Sequence, residues 1–168
     1  LHLPYEMEAK RCYEGVSIFK RQEAKLEMPE VEIQLQIGEM QEYSWKNQKI
    51  CLSLLEHNEG EKSHSQKGGV QRFDYDIIKK GVCIRTRKPG DYITIHPDGR
   101  TQKIKSFFIN EKIPSERRDD ILLVADGNHI LWIVGYRTNC MYQVKGHTKH
   151  VLEIQIDKGE ELWQKQLE

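Results

Sequence analysis

The feature that most restricts the fold of this chain is a series of short apolar or β-branched segments separated by Gly, Asp, Asn or Pro. Beyond residue 70 these segments are RFDYDII, GVCIRTR, DYITI, ILLVAD, HILWIVGYR, MYQV and HVLEIQI. Their length and their turn residues predict a mainly β (α+β) fold with mostly antiparallel strands. HILWIVGYR (129–137) is apolar almost throughout, so we expect it to be the central strand, covered on both faces. A tight turn at Asp126-Gly127-Asn128 should pair it with ILLVAD.

The first half of the chain carries strand signals as well. VEIQLQI (31–37) alternates apolar and polar residues, which is the period of a half-buried strand, and KICLSLLEH (49–57) is another strand segment. EMEAKRCY and VSIFKR flank Glu14-Gly15 as a hairpin. The polar, glycine-rich residues 58–69 have nothing to bury and predict a flexible loop. We expect residues 1–168 to form one domain, whose tail at 158–168 either forms an exposed helical turn or frays.

One segment, TQKIKSFFINEKI, has helical rather than strand periodicity. Ile104, Phe107 and Phe108 recur at i, i+3 and i+4, and Thr101 is a candidate cap for the first amides. The pattern therefore predicts a helix with its lysines directed away from the core. Pro114 should end it and open a second short helical turn, PSERR.

Catalytic and metal-binding motifs are absent from the sequence. It contains no phosphate loop, no GxSxG, no HExxH and no CxxC pair, and its four cysteines are typical of reduced cytosolic thiols. His147 and His150 indicate a surface pair rather than a metal site. Asp74 and Asp76 should share one strand face as solvated carboxylates or turn caps, not as an acid/base couple. No run approaches the roughly 18 apolar residues of a membrane helix, and we expect a soluble, cytoplasmic piece of a longer protein.

Charge is unevenly distributed along the chain although its net value is zero. Residues 85–149 hold 12 Lys and Arg against 7 Asp and Glu, whereas residues 1–80 hold 12 against 14. The cations of the second half that we single out as candidate nucleic-acid contacts are Arg85, Arg87, Lys88, Lys103, Lys105, Lys112, Arg117, Arg118, Arg137, Lys145 and Lys149. Arg and Lys bind phosphate oxygens, so such a set can serve as a surface for a nucleic-acid backbone.

Aromatic residues near these cations have two interpretations. Tyr92, Tyr136 and Tyr142 could stack on an unpaired base or pack in the core. From the residues alone, a nucleic-acid-binding β domain and a structural or protein-contact module both remain open.

From Phe73 onward, the order FDYD, VCIRTRKPGD, KIKSFFINEKIPSERRD, HILWIVGYR and TKHVLEI resembles the carboxy-terminal domain of the tRNA(Ile)-lysidine synthase family. The core of the resemblance is residues 73–156, and LHLPYEMEAKRCYEGVSIFKR is similar to the hairpin that precedes this domain. The resemblance implies a small antiparallel β barrel related to a domain of the phenylalanyl-tRNA synthetase β subunit, with one or two short helices. It also implies that the domain holds the tRNA, especially its acceptor side.

In that family the whole enzyme is an ATP-dependent ligase that attaches lysine to the wobble cytidine of tRNA(Ile). The resemblance therefore implies ATP with Mg and lysine as requirements of the parent enzyme. It implies tRNA(Ile) and the enzyme's own catalytic domain as partners. The family's SGGxDS loop is absent here, so we expect no chemistry from this chain alone. A module that docks on the catalytic domain or forms a homodimer, without touching RNA, is the alternative.

Site residues also follow from the resemblance, position by position. Gly90, Asp91, Pro114 and Gly135 are expected to shape the backbone, and the matching cations from Arg85 to Arg137 to contact RNA. Asp119 is expected to hold a turn or to pair with an Arg. This chain departs from the family in having Tyr92 where Arg is frequent, Gln102 where Lys is frequent, and Ile121 or Leu122 where Pro is frequent. The first two departures reduce the positive charge of the surface.

Overall fold

The structure is a computed structural model and describes residues 2–3, 7–12, 15–20, 30–46, 48–57 and 69–158. The predicted loop, apart from Gly69, and the tail beyond Lys158 lie outside the described residues. The described strands are β1 (His2–Leu3), β2 (Met7–Cys12), β3 (Gly15–Lys20), β4 (Val31–Ile33), β5 (Met40–Trp45), β6 (Gln48–Glu56), β7 (Val70–Asp74), β8 (Val82–Arg85), β9 (Tyr92–Thr94), β10 (Thr101–Lys103), β11 (Leu123–Asp126), β12 (His129–Ile133), β13 (Arg137–Thr138) and β14 (His150–Lys158). The helices are α1 (Ile104–Asn110) and α2 (Ser115–Arg118), and 3-10 turns span Tyr75–Ile77 and Cys140–Tyr142. No helix in this part of the chain has the length and apolarity needed to cross a membrane.

The described strands form three sheets, which we call the small sheet, the central sheet and the second sheet. The small sheet is β1-β2-β3, and its β2–β3 hairpin pairs Cys12 with Gly15, as predicted. The central sheet has the order β10-β9-β12-β11-β8-β4, with β13 also paired to β12. The second sheet has the order β5-β6-β14-β7 and is antiparallel throughout.

The predicted closed barrel is wrong for the residues that the structure describes. The central sheet ends at β10 and β4, and the second sheet ends at β5 and β7, so both are open. The reason is that β14 hydrogen-bonds to β6 on one side and β7 on the other, which leaves it no free edge for the central sheet. The fold is mainly β with two helices.

Apolar side chains on both faces of the central sheet hold the layers together. One cluster lies between the central and second sheets and includes Val82, Val124, Leu131, Leu52 and Leu152. The other lies between the central sheet and α1 and includes Leu123, Ile130, Ile133, Phe107 and Phe108. Burying each such side chain contributes about 1.5–3 kcal/mol. The predictions that HILWIVGYR is central and that α1 buries Phe107 and Phe108 are confirmed, since β12 lies between β11 and β9.

The predicted start of the helix is wrong. Thr101–Lys103 is strand β10, paired with β9, so Thr101 is not the cap and α1 begins at Ile104. Instead of a side-chain cap, the Ile104 amide donates to the carbonyl of Asp91 at 2.9 Å. The second helical turn after Pro114 is confirmed as α2.

Three predicted strands are shortened or replaced. VEIQLQI leaves the central sheet after Ile33, because Ile37 and Gly38 turn to contact Leu54 of the second sheet. MYQV forms no strand, because its first two residues belong to the 3-10 turn Cys140–Tyr142, where the Asn139 side chain accepts a hydrogen bond from the Met141 amide. RFDYDII likewise bends at Asp74, whose side chain accepts a hydrogen bond from the Asp76 amide at 3.1 Å. Asp74 and Asp76 therefore do not share a strand face.

Candidate nucleic-acid interface

The candidate site is built around the connection between β8 and β9. Both strands run parallel to β12, because β9 pairs with β12 in parallel and β11 pairs with β12 and β8 antiparallel. Residues 86–91 must therefore return from the carboxyl end of β8 to the amino end of β9. Arg87, Lys88, Gly90 and Asp91 all belong to this crossover.

A buried ion pair fixes the two ends of the crossover. Nη1 and Nη2 of Arg85 each donate to one carboxylate oxygen of Asp91 at 2.8 Å, and Nη2 also donates to the carbonyl of Gly127 at 2.7 Å. Arg85 is 2% exposed and Asp91 is 3% exposed. Burial by itself lowers the pKa of Arg85, but the Asp91 carboxylate outweighs it and raises the pKa above its ordinary value.

Arg85 is thus part of the framework, and its burial does not fit the predicted RNA contact. The strand predicted for GVCIRTR is also shorter than its sequence suggests, since β8 ends at Arg85 and Arg87 lies outside it. The expectation that Asp91 and Gly90 shape the backbone agrees with their geometry. Asp91 also accepts the Lys88 amide at 2.7 Å, and Gly90 has a φ of 91°. That conformation favours glycine.

Four of the predicted cations lie together along one groove. Its volume is about 530 Å³, and its lining residues are Arg87, Lys88, Pro89, Gly90, Asp91, Lys103, Ile104, Lys105 and Asp119. The crossover supplies Arg87 and Lys88, whereas β10 and the first turn of α1 supply Lys103 and Lys105. The Ile104 amide bond to the Asp91 carbonyl joins these two parts of the groove.

Two of the four groove cations are paired with carboxylates. Nε of Arg87 donates to Oδ1 of Asp119 at 2.8 Å, and Nη2 lies 2.7 Å from the same oxygen, which confirms that Asp119 pairs with an Arg. Lys88 pairs with Glu30, and this hydrogen bond lowers the pKa of Glu30. Within the described residues, no ion pair involves Lys103 or Lys105.

The remaining predicted cations are spread over other parts of the surface. On α2, beside Asp119, Arg117 is exposed and Nε of Arg118 donates to the Ile113 carbonyl at 2.8 Å. Lys112 is exposed just after α1. Arg137 donates to the Ile95 carbonyl at 3.1 Å, at the far end of β9. Lys145 and Lys149 are exposed in the turn before β14, where the Lys149 amide donates to Asp76. Arg137, Lys145 and Lys149 do not line the groove.

The three candidate stacking residues have different environments. Tyr142 is buried in the core, and the Tyr92 ring stacks on the His129 ring at 4.6 Å. Tyr136 is 49% exposed, in the turn that Gly135 makes possible with a φ of 81°. Of the three, Tyr136 alone has a largely accessible ring.

Sequence reasoning missed a polar network beside the stacked rings. The Tyr142 hydroxyl donates to Asp126 at 3.1 Å and lies 3.1 Å from Nδ1 of His129. Nε2 of His129 lies 2.8 Å from the Asn139 side-chain nitrogen and 2.8 Å from the Thr94 hydroxyl. Burial lowers the pKa of His129, against the opposing charge of Asp126. The signal available in the sequence was a polar residue, His129, at the start of an otherwise apolar segment.

His150, proposed above as half of a surface histidine pair, contacts a carboxylate instead. Its Nδ1 lies 2.6 Å from Asp76, whereas His147 is exposed. Among the residues that the structure describes, no group of three or more His, Cys, Asp or Glu side chains is placed to hold a metal ion.

Comparison with known proteins identifies the family. Residues 82–156 match the model of the TilS substrate C-terminal domain. A tRNA(Ile)-lysidine synthase of Caldanaerobacter subterraneus subsp. tengcongensis is 34% identical over 166 residues, which cover 94% of this chain and 33% of that protein. One of Clostridium tetani is 35% identical over 162 residues, covering 95% of this chain and 34% of that protein. The chain thus spans about a third of the length of the curated relatives it matches.

A solved structure shows the same fold. A crystal structure of a TilS C-terminal domain superposes with a TM-score of 0.58 at 24% identity, covering 78% of this chain and 98% of that one. The relation to the phenylalanyl-tRNA synthetase β subunit stays a prediction. The resemblance that the linked motifs carry from Phe73 onward is confirmed, and residues 82–156 belong to the TilS substrate C-terminal domain family.

Proposed function

We propose that this chain is the tRNA-binding carboxy-terminal part of a tRNA(Ile)-lysidine synthase and that its groove holds the sugar-phosphate backbone of tRNA(Ile). The observation that carries the proposal is the convergence of Arg87, Lys88, Lys103 and Lys105 on one groove. The names of the relatives suggest tRNA(Ile) as the ligand, and the groove is the surface to which we assign its binding.

The chemistry of the groove suits a polyanion. Guanidinium and ammonium groups from two separate segments line it, so an RNA strand lying along it can be contacted from both sides. In this proposal the groove positions the tRNA through contacts with its sugar-phosphate backbone. A ligase that acts on the wobble base gains affinity and discrimination when a second region of the tRNA is held in this way.

We assign the ligase chemistry to the part of the parent enzyme outside this chain. We assign no role in binding ATP, Mg or lysine to the groove; the sequence has no phosphate loop, and the described residues include no group of three or more His, Cys, Asp or Glu side chains placed to hold a metal ion. In this proposal the chain functions in the cytoplasm beside its own catalytic domain, and it catalyses no step of the reaction itself.

The test is binding of a tRNA(Ile) transcript to the chain between 50 and 200 mM salt. Lys103→Ala and Lys105→Ala should each weaken binding and reduce the log–log salt slope by about one. Lys145→Ala is the matched control, because Lys145 is an exposed lysine outside the groove. Absence of salt-dependent binding, or equal losses in all three variants, would overturn the proposal.

A protein-contact role is the second candidate, and one observation favours it. Val16 and Ile18 are 66% and 61% exposed, and they lie on one face of β3 because they are two residues apart. If docking rather than RNA binding is the function, Val16→Asp should abolish association with the catalytic domain or with a second copy. In that case neither the wild-type chain nor any variant should show measurable binding to tRNA.

A further inference from the structure

We infer that Asp119 is a selectivity residue of the groove, whose carboxylate occupies Arg87 until an RNA phosphate replaces it. This inference rests on the proposed function. In this inference the Asp119 carboxylate and an RNA phosphate compete for Arg87. That competition sets the affinity of the groove for RNA and its selectivity for RNA over other anions.

The geometry of the pair matches that of a phosphate contact. Nε of Arg87 donates to Oδ1 of Asp119 at 2.8 Å, Nη2 lies 2.7 Å from the same oxygen, and both residues line the groove. A phosphate oxygen is an acceptor of the same kind and can take the place of Oδ1 beside the guanidinium. Arg87 therefore contacts RNA only after Asp119 has moved away or been displaced.

Exposure makes this pair exchangeable. The side chains of Arg87 and Asp119 are 32% and 42% exposed, so solvent and salt screen their attraction. The neighbouring pair shows the contrast, because Arg85 and Asp91 are buried and Asp91 uses both oxygens on Arg85 and accepts the Lys88 amide as well. Opening the partly exposed pair should therefore cost less free energy than opening the buried pair.

A tethered carboxylate also discriminates between small anions and a polymer. A free phosphate must compete with Asp119, which is held beside Arg87 at a high effective concentration. An RNA strand already bound at Lys103 and Lys105 presents its next phosphates at a similarly high effective concentration. Asp119 therefore excludes small anions from Arg87 more strongly than it excludes a polynucleotide.

The experiment measures binding of a tRNA(Ile) transcript and of inorganic phosphate to the chain and its variants across salt concentrations. Asp119→Asn should tighten tRNA binding about threefold to tenfold, and steepen the log–log salt slope by about one. It should tighten phosphate binding by a larger factor. In an Arg87→Ala background the same change should alter tRNA affinity by less than about twofold, because Asp119 acts through Arg87.

Two controls separate this effect from general charge and from unfolding. Asp98→Asn removes an aspartate from an exposed pair with Arg100 outside the groove, and should change neither affinity nor slope. Asp119→Ser, measured together with the thermal unfolding midpoint, must reproduce the gain in affinity.

The outcomes distinguish the two proposals. If wild type binds tRNA through Lys103 and Lys105 but Asp119→Asn and Asp119→Ser leave affinity and slope unchanged or reduce them, the inference about Asp119 is wrong and the proposed function stands. If wild type shows no salt-dependent tRNA binding, both are overturned.

Discussion

Replacing Arg85 with alanine should lower the free energy of unfolding by about 3–5 kcal/mol, because it leaves a buried carboxylate without its partner. Arg85 makes two hydrogen bonds to Asp91 and one to the Gly127 carbonyl. Once Arg85 is removed, the Asp91 carboxylate keeps the hydrogen bond from the Lys88 amide but has lost both bonds from the guanidinium. Against a typical total of about 5–15 kcal/mol for a domain, this loss is a large fraction.

The assay is urea unfolding followed by tryptophan fluorescence, with Arg87→Ala as the matched control. Arg87 is the same residue type two positions along the chain, but its pair with Asp119 is partly exposed. We expect Arg87→Ala to change the free energy of unfolding by less than about 1 kcal/mol. The double variant Arg85→Met/Asp91→Leu should regain most of the stability lost in Arg85→Ala, since no buried charge is left unpaired.

The reasoning is refuted if Arg85→Ala and Arg87→Ala have the same small effect on unfolding. It is also refuted if Arg85→Ala weakens tRNA binding more than its folded fraction accounts for, since Arg85 would then be an RNA contact. The expected separation is that the change at Arg85 affects stability and the change at Arg87 affects RNA binding.

Three further predictions concern the turns and the polar network beside the groove. Because burial holds the pKa of His129 below 6.5 in the folded chain, the unfolded chain takes up that proton first. Stability should therefore fall as pH decreases below about 6.5, and His129→Gln should flatten this dependence in urea titrations. Gly90→Ala should lower stability by about 1 kcal/mol because of its positive φ, whereas Gly146→Ala, with open space at the added Cβ, should not. Tyr142→Phe should cost about 1–2 kcal/mol by removing the hydroxyl donor to Asp126, and an unchanged thermal midpoint would contradict it.

The strands of the central sheet were predictable because their signals are local. ILLVAD and HILWIVGYR are apolar segments joined by a two-residue turn, and they form β11 and β12 in the expected pairing. The second sheet was not predictable, because whether the β14 edge pairs with β6 or closes a barrel depends on distant strands. The extent of α1 was mispredicted for a related reason, since Thr101 has an acceptable capping side chain but pairs with Thr94 of β9.

The candidate site was predictable in part. Lysines at β10 and α1 were expected to point outward from the helical spacing of Phe107 and Phe108, and Lys103 and Lys105 do so. The burial of Arg85 could not be foreseen, because it follows from a crossover that brings Asp91 back beneath it. Glu30 was also missed, since its pairing with Lys88 joins residues 58 positions apart.

The long ladder between β6 and β14 also constrains when this chain can fold during synthesis. The nine paired positions of Gln48–Glu56 and His150–Lys158 lie 94 to 110 residues apart. The ribosome must therefore release almost the whole described chain before β6 and β7 can acquire their shared neighbour, and such long-range closure is slow. A product truncated before His150 would leave β6 and β7 without their shared neighbour, and unpaired strand edges of this kind favour aggregation.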